Sequence, residues 1–174
     1  MVTLTETSTA AITREGTPYF AVSLLKLAVM SICTFGLYEF YWFYENWRRI
    51  RNREGPRIKP FLCALFAYFT CYYCFTRIDN HAASIGLHQS IPTAVLAIGW
   101  VLTTLLWKLP DPYWLVSSLS FLFILPAQAL ANRINATIVP DHDPNRRFTA
   151  WNFACVAVVA AFLILAIVGS FLPD

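Results

Sequence analysis

The sequence predicts an all-α membrane protein: a polytopic helical bundle of four spanning helices plus one short re-entrant or interfacial segment, with five spans as the alternative. Three observations predict it. Of 174 residues, 57% are hydrophobic and 13% charged, against about 25% charged in an ordinary soluble domain. Long apolar runs, at about residues 19–44, 61–76, 91–109, 113–131 and 148–172, alternate with short polar clusters. Trp and Tyr gather at the ends of those runs, where a ring with one wet edge favours the headgroup level. A soluble chain this apolar would expose large apolar patches and aggregate. The length fits one membrane domain, residues 19–174, behind a polar tail.

The tail, residues 1–18, is rich in Thr and Ser, holds one basic residue, Arg14, and is expected to be mobile. It lacks a basic stretch followed by a short apolar core, so no removable signal peptide is expected. A spanning helix needs roughly 20 apolar residues. The first run, 19–44, is slightly long and carries Lys26, Gly36 and Glu39. Thr34-Phe35-Gly36 sits in its middle, where a kink or a break into two half-helices is expected. The helix then continues along the interface until Gly55-Pro56 stops it.

The second run, 61–76, is short for a span and crowded with aromatics, so it reads as re-entrant or interfacial. Arg77-Ile78-Asp79-Asn80-His81 is expected to end it, with a short polar helix or loop to His88. The third run starts with Pro92 in its first turn, where proline is tolerated, and stops at the Pro110-Asp111-Pro112 turn. The fourth carries Pro126, expected to kink it. The fifth, 148–172, is the cleanest span.

Charge sets the expected orientation. The net charge is only +3, yet six of the thirteen basic residues, Arg48, Arg49, Arg51, Arg53, Arg57 and Lys59, lie together. Beside an apolar run ending in Tyr41, Trp42 and Tyr44, they read as a contact with anionic lipid headgroups and not with nucleic acid. Five full spans would divide the basic residues almost evenly between the two sides. If residues 61–76 instead dip in and return, Arg77, Arg133, Arg146 and Arg147 join the cluster, leaving Arg14 and Lys108 opposite. The positive-inside rule prefers that arrangement. It places the N-terminus outside, residues 48–88 in the cytoplasm, the Pro110 turn outside and residues 139–147 in the cytoplasm.

The stretch Thr34-Phe35-Gly36-Leu37-Tyr38-Glu39-Phe40-Tyr41-Trp42 resembles a motif of uncharacterised small bacterial polytopic membrane proteins, in which a first helix carries T-x-G-x-Y-x-x-Y-W and runs into a basic segment. The likeness covers residues 19–59; Asp79-Asn80-His81 and Phe148-Thr149-Ala150-Trp151-Asn152 add to it weakly. It implies a multi-pass protein of the bacterial inner membrane and implies no activity.

Four sets of residues are candidates for chemistry. Gln128, Asn132 and Asn135 fall at i, i+4 and i+7, on one helix face; amides there either join helices or line a solute path. Glu39 and Lys26 are ionisable groups within an apolar run, functional candidates by default, although both lie near enough to its ends to snorkel. Cys71 and Cys74 form a C-x-x-C, the pattern of a thiol redox pair, and Cys63, eleven residues before Cys74, falls on nearly the same helix face; five cysteines, all in apolar runs, read first as small buried hydrophobes. Phe75 occupies the position where haem attachment needs His. His81, His88, His142, Asp79, Asp141 and Asp143 have no metal-site spacing, and no metal or other cofactor is expected. Ala127 and Ala131, and Ala157 and Ala161, allow close helix approach.

The function these residues point to is a non-enzymatic accessory or interaction subunit of a bacterial inner-membrane assembly. Its expected partners are anionic lipid and either another protein or further copies of itself. The alternatives are a small oligomeric channel or carrier lined by Gln128, Asn132 and Asn135, and a membrane thiol oxidoreductase using Cys71 and Cys74.

Overall fold

In the computed structural model, residues 16–110 and 113–170 are described, with only the backbone of Trp151 and residues 162–170. Among them the fold is all-α. Most of the tail with Arg14, the Asp111-Pro112 part of the turn and the end of the last run lie outside the described residues.

The first apolar run is not one span. Residues 16–23 form no helix; they bend at Pro18–Tyr19 and enter the interior at Tyr19. Ser23 then caps α1 (Leu24–Cys33), its hydroxyl accepting from Lys26 N–H at 3.2 Å. Thr34 ends α1 by donating its hydroxyl to Met30 O (2.7 Å) while accepting Tyr38 N–H (2.9 Å). Gly36 takes a left-handed conformation, φ +84°, which costs a residue without Cβ little. The chain restarts as α2 (Leu37–Glu54) and reverses. Phe20 N–H donates to Asn46 Oδ1 (3.1 Å), and Arg53 donates to the Tyr19 hydroxyl (2.9 Å). The expected break at Thr34–Gly36 is present. The reversal overturns the single span over 19–44, and with it the placing of the N-terminal side opposite the basic cluster: Thr17 accepts from Arg49, and Pro18 O from Arg53.

The second run also leaves and returns. Pro60 starts α3 (Pro60–Leu65), the helix breaks at Phe66, and α4 (Ala67–Ser84) follows. Arg77 on α4 reaches Glu54, the last residue of α2, at 2.8 Å, so the chain between them comes back to its starting end. Its turn lies beside the tip of the first hairpin: Leu65, Ala67 and Tyr68 share a cavity with Phe35 and Gly36. Contrary to expectation, α4 does not stop at Arg77–His81. Cys71, Cys74, Phe75, Ile78 and Ala82 repeat at helical spacing, all buried, and that stripe carries the helix through the polar residues.

Asp79 holds the start of the next element, its Oδ1 accepting Ile91 N–H at 2.9 Å. Helix α5 (Thr93–Leu105) and a 3-10 turn (Leu106–Lys108) run to the hairpin-tip end. The chain returns as a 3-10 segment (Tyr113–Phe123) and then α6 (Leu125–Ile138). Pro126 falls in the first turn of α6, where its missing N–H costs nothing; it marks the change of winding and not a mid-span kink. A Cβ on Gly99 would stand 2.2 Å from the Phe123 ring, so α5 lies flush on this segment. Helix α7 (Ala150–Ser170) closes the chain. Thr149 caps it, its N–H and hydroxyl both donating to Asn152 Oδ1 (2.9 and 3.0 Å).

Trp42, Phe43, Phe75 and Trp100 fill the centre, with ring centroids 4.9–6.2 Å apart. Among the described residues one helical stretch, Tyr113–Ile138, is long and apolar enough to cross a membrane, with a mean hydropathy of 1.7; Leu24–Cys33, Thr93–Lys108 and Asn152–Ala161 are shorter apolar helices. Four full-length spans are therefore not what the helices display. The exposed large apolar side chains nevertheless fall in four blocks, 24–41, 61–73, 95–122 and 148–158, with none at 42–60, 74–94 or 123–147.

Candidate functional site

Two separate polar clusters lie inside the apolar framework, one on each half of α2. The first lies where residues 19–22 enter. A segment outside any helix has no helical partners for its N–H and C=O groups, and leaving them buried and unpaired costs free energy. Side-chain amides supply the partners. Asn135 pairs with Tyr19 twice, accepting its N–H and donating to its C=O, both at 3.0 Å. Gln128 donates to Phe20 O (3.0 Å) and to Asn132 Oδ1 (2.7 Å), and accepts from the Trp42 indole N–H. Asn132 donates to Val22 O at 2.9 Å. The helix face expected at Gln128, Asn132 and Asn135 is real, and Gln128 and Asn135 are fully buried. Their amides are committed to the chain's own backbone.

Glu39 stands apart from those amides. Its carboxylate is 2% exposed and accepts from Trp100 Nε1 (2.6 Å) and from Ser120 Oγ (2.7 Å). Among the described residues it forms no ion pair. Two neutral donors offset part of the cost of burying a charge, and no cation offsets the rest. A cavity of about 250 Å³, which Thr104 and Ser117 also line, adjoins it. The group can hold a proton or meet a small cation. Trp100 and Ser120 have no local signal in the sequence, lying 61 and 81 residues from Glu39.

Lys26 does not snorkel: it is 2% exposed. Its ammonium donates to Asn145 Oδ1 and Arg147 O, both at 2.8 Å, tying α1 to the loop before α7.

The basic cluster divides by role. Arg49 and Arg53 grip residues 17–19, as described above. Arg48 is half-exposed and pairs with Glu45 at 2.9 Å. Arg51, Arg57 and Lys59 have no carboxylate partner among the described residues. Arg77 and Arg133 lie at this same end, Arg133 through Gln89. Lys108 lies at the other end, next to Trp107, which faces Phe35 and Gly36 across the cavity.

Cys71 and Cys74 are both buried in the core with free thiols, Cys74 completely; the Cys71 sulfur contacts Tyr68 O at 4.0 Å. Among the described residues no three of His, Cys, Asp and Glu converge as metal ligands. Ala127 and Ala131 are buried, whereas Ala157 and Ala161 are exposed. Compared with protein families, with curated proteins and with solved structures, the chain matches none of them.

Proposed function

We propose that this chain is a multi-pass protein of a bacterial inner membrane and serves there as a non-enzymatic interaction subunit. The observation that carries the membrane reading is the confinement of exposed large apolar side chains to four blocks, with three polar intervals bare of them. Water makes so much exposed apolar surface unfavourable; lipid does not. Two of the apolar blocks in this reading are helical hairpins that enter and leave from one side without crossing, which reconciles short helices with a membrane protein. Non-helical backbone at membrane depth is tolerated where protein buries it and satisfies it, as Asn135, Gln128 and Asn132 do for residues 19–22. Arg51, Arg57 and Lys59, with no carboxylate partner among the described residues, suit an anionic leaflet.

The non-enzymatic part rests on how the interior polar groups are used. Gln128, Asn132, Asn135, Asn46 and Lys26 all bond to the chain itself. Glu39 also bonds to the chain, but as a buried carboxylate with no cation partner among the described residues and a cavity beside it, it favours a second reading, a proton- or cation-binding carrier. The test is purification in lipid nanodiscs followed by mass analysis of what stays bound. A stoichiometric protein partner supports the subunit reading. A chain that carries no protein partner, and whose Glu39→Gln variant abolishes a proton or cation flux in vesicles, replaces it with the carrier.

A further inference from the structure

A cleft of about 760 Å³ separates the first hairpin from α7, within the roughly 300–1,000 Å³ range of ligand sites. Its lining is of two kinds. Lys26, Asn145, Thr149 and Asn152 give one part of its lining polar groups; Met30, Leu37, Ala154 and Val158 are among its apolar lining. An ammonium has three protons to give. Lys26 gives two, to Asn145 Oδ1 and Arg147 O, and both acceptors are neutral. The Phe148 ring lies 6.0 Å away, at the limit of a cation–π contact. Asp143 is near enough for its charge to be felt, yet it accepts Asn145 N–H at 2.8 Å and makes no ion pair with Lys26. A cation that is 2% exposed and has no ion-pair partner among the described residues is costly unless something pairs with it. The partly open apolar wall leading to it comes from α7, whose Ala154 and Val158 are exposed.

We propose that this cleft binds one anionic phospholipid of the surrounding leaflet, its phosphate on Lys26 and one acyl chain along Met30, Leu37 and Val158. Charge complementarity selects the occupant: a neutral helix of a partner would leave the ammonium unpaired. The lipid would also fill the gap that leaves α7 loosely held. This inference rests on the membrane reading above.

The test is native mass spectrometry of the full chain in mild detergent, with phosphatidylglycerol or phosphatidylcholine added in turn. The wild type should retain one phosphatidylglycerol per chain, about tenfold over phosphatidylcholine, the ratio that about 1.4 kcal/mol of charge pairing gives. Lys26→Met should remove that preference and Lys26→Arg should keep it. Val158→Trp fills the apolar part and leaves the Lys26 hydrogen bonds untouched; it should lower retention of both lipids. No lipid retained by the wild type, or equal retention by Val158→Trp, overturns the lipid site while leaving the membrane reading intact. A copy of this chain or another protein bound in place of lipid also overturns it. A chain that stays monodisperse in buffer without detergent overturns both.

Discussion

The first hairpin and the last helix are both apolar stretches, and they are held in opposite ways. Tyr19, Leu27, Met30, Trp42, Phe43 and Ile50 of the first region are buried, and its polar atoms bond to residues as far as 124 positions away. In α7, most described side chains from Asn152 to Ala161 are exposed. In hydropathy the order is reversed: α7 carries no charged residue, and the first run is interrupted by Lys26, Gly36 and Glu39. Hydropathy therefore does not track packing; packing follows the interruptions. Each polar interruption demands a partner, and the partners pull other elements onto the hairpin.

Four substitutions and titrations test this contrast. The largest effect is expected from Asn135→Leu, which leaves the Tyr19 N–H buried without a partner and its C=O with only the Thr17 hydroxyl, at 2.8 Å. At roughly 1–3 kcal/mol for the orphaned N–H and about 1 kcal/mol for the bond lost at the C=O, it should destabilise the protein by about 2–4 kcal/mol in a denaturing-detergent titration followed by tryptophan fluorescence. A smaller cost falls on the reversal. Gly36→Ala meets no neighbouring atom, so its penalty is conformational, about 1–2 kcal/mol for a left-handed φ.

The third effect is a pH dependence where α4 packs on the first region. His81 packs on the Tyr19 ring at 5.6 Å. Burial holds its imidazole below the usual pKa, Arg53 adds to that, and Glu54 opposes it. The unfolded chain then binds the proton more readily. Stability should fall as pH drops below about 6.5, the unfolded value, and level off below the depressed folded one. His81→Gln should flatten that acid limb in the same titration.

The smallest change is expected in α7. Phe153 is exposed, and Phe153→Ala should move the midpoint by no more than about 0.5 kcal/mol. A loss at Phe153 as large as that at Asn135 would erase the distinction between the two regions.

Part of the site was legible along the chain. The i, i+4, i+7 spacing correctly puts Gln128, Asn132 and Asn135 on one face, because helical geometry is local. Their partners were not legible, because a non-helical backbone at residues 19–22 leaves no pattern in a run that reads as helix. The same limit hides Trp100 and Ser120 from Glu39, and Asn145 from Lys26. The C-x-x-C is equally visible and equally mute: spacing brings Cys71 and Cys74 together on a helix, and only burial separates a core pair from an accessible one.

Composition and periodicity determined the all-α class, the division into apolar and polar intervals, and the turn at Gly36 and the stop at Gly55-Pro56, since each depends on residues within a few positions of one another. The gathering of basic residues at one end was readable once the second run was allowed to return. Tertiary structure alone decided that the first run also folds back, and that its amides, Lys26 and Glu39 find their partners across the molecule. The physical reason is that a buried polar group must be satisfied by whichever distant element reaches it, and that choice is made in three dimensions.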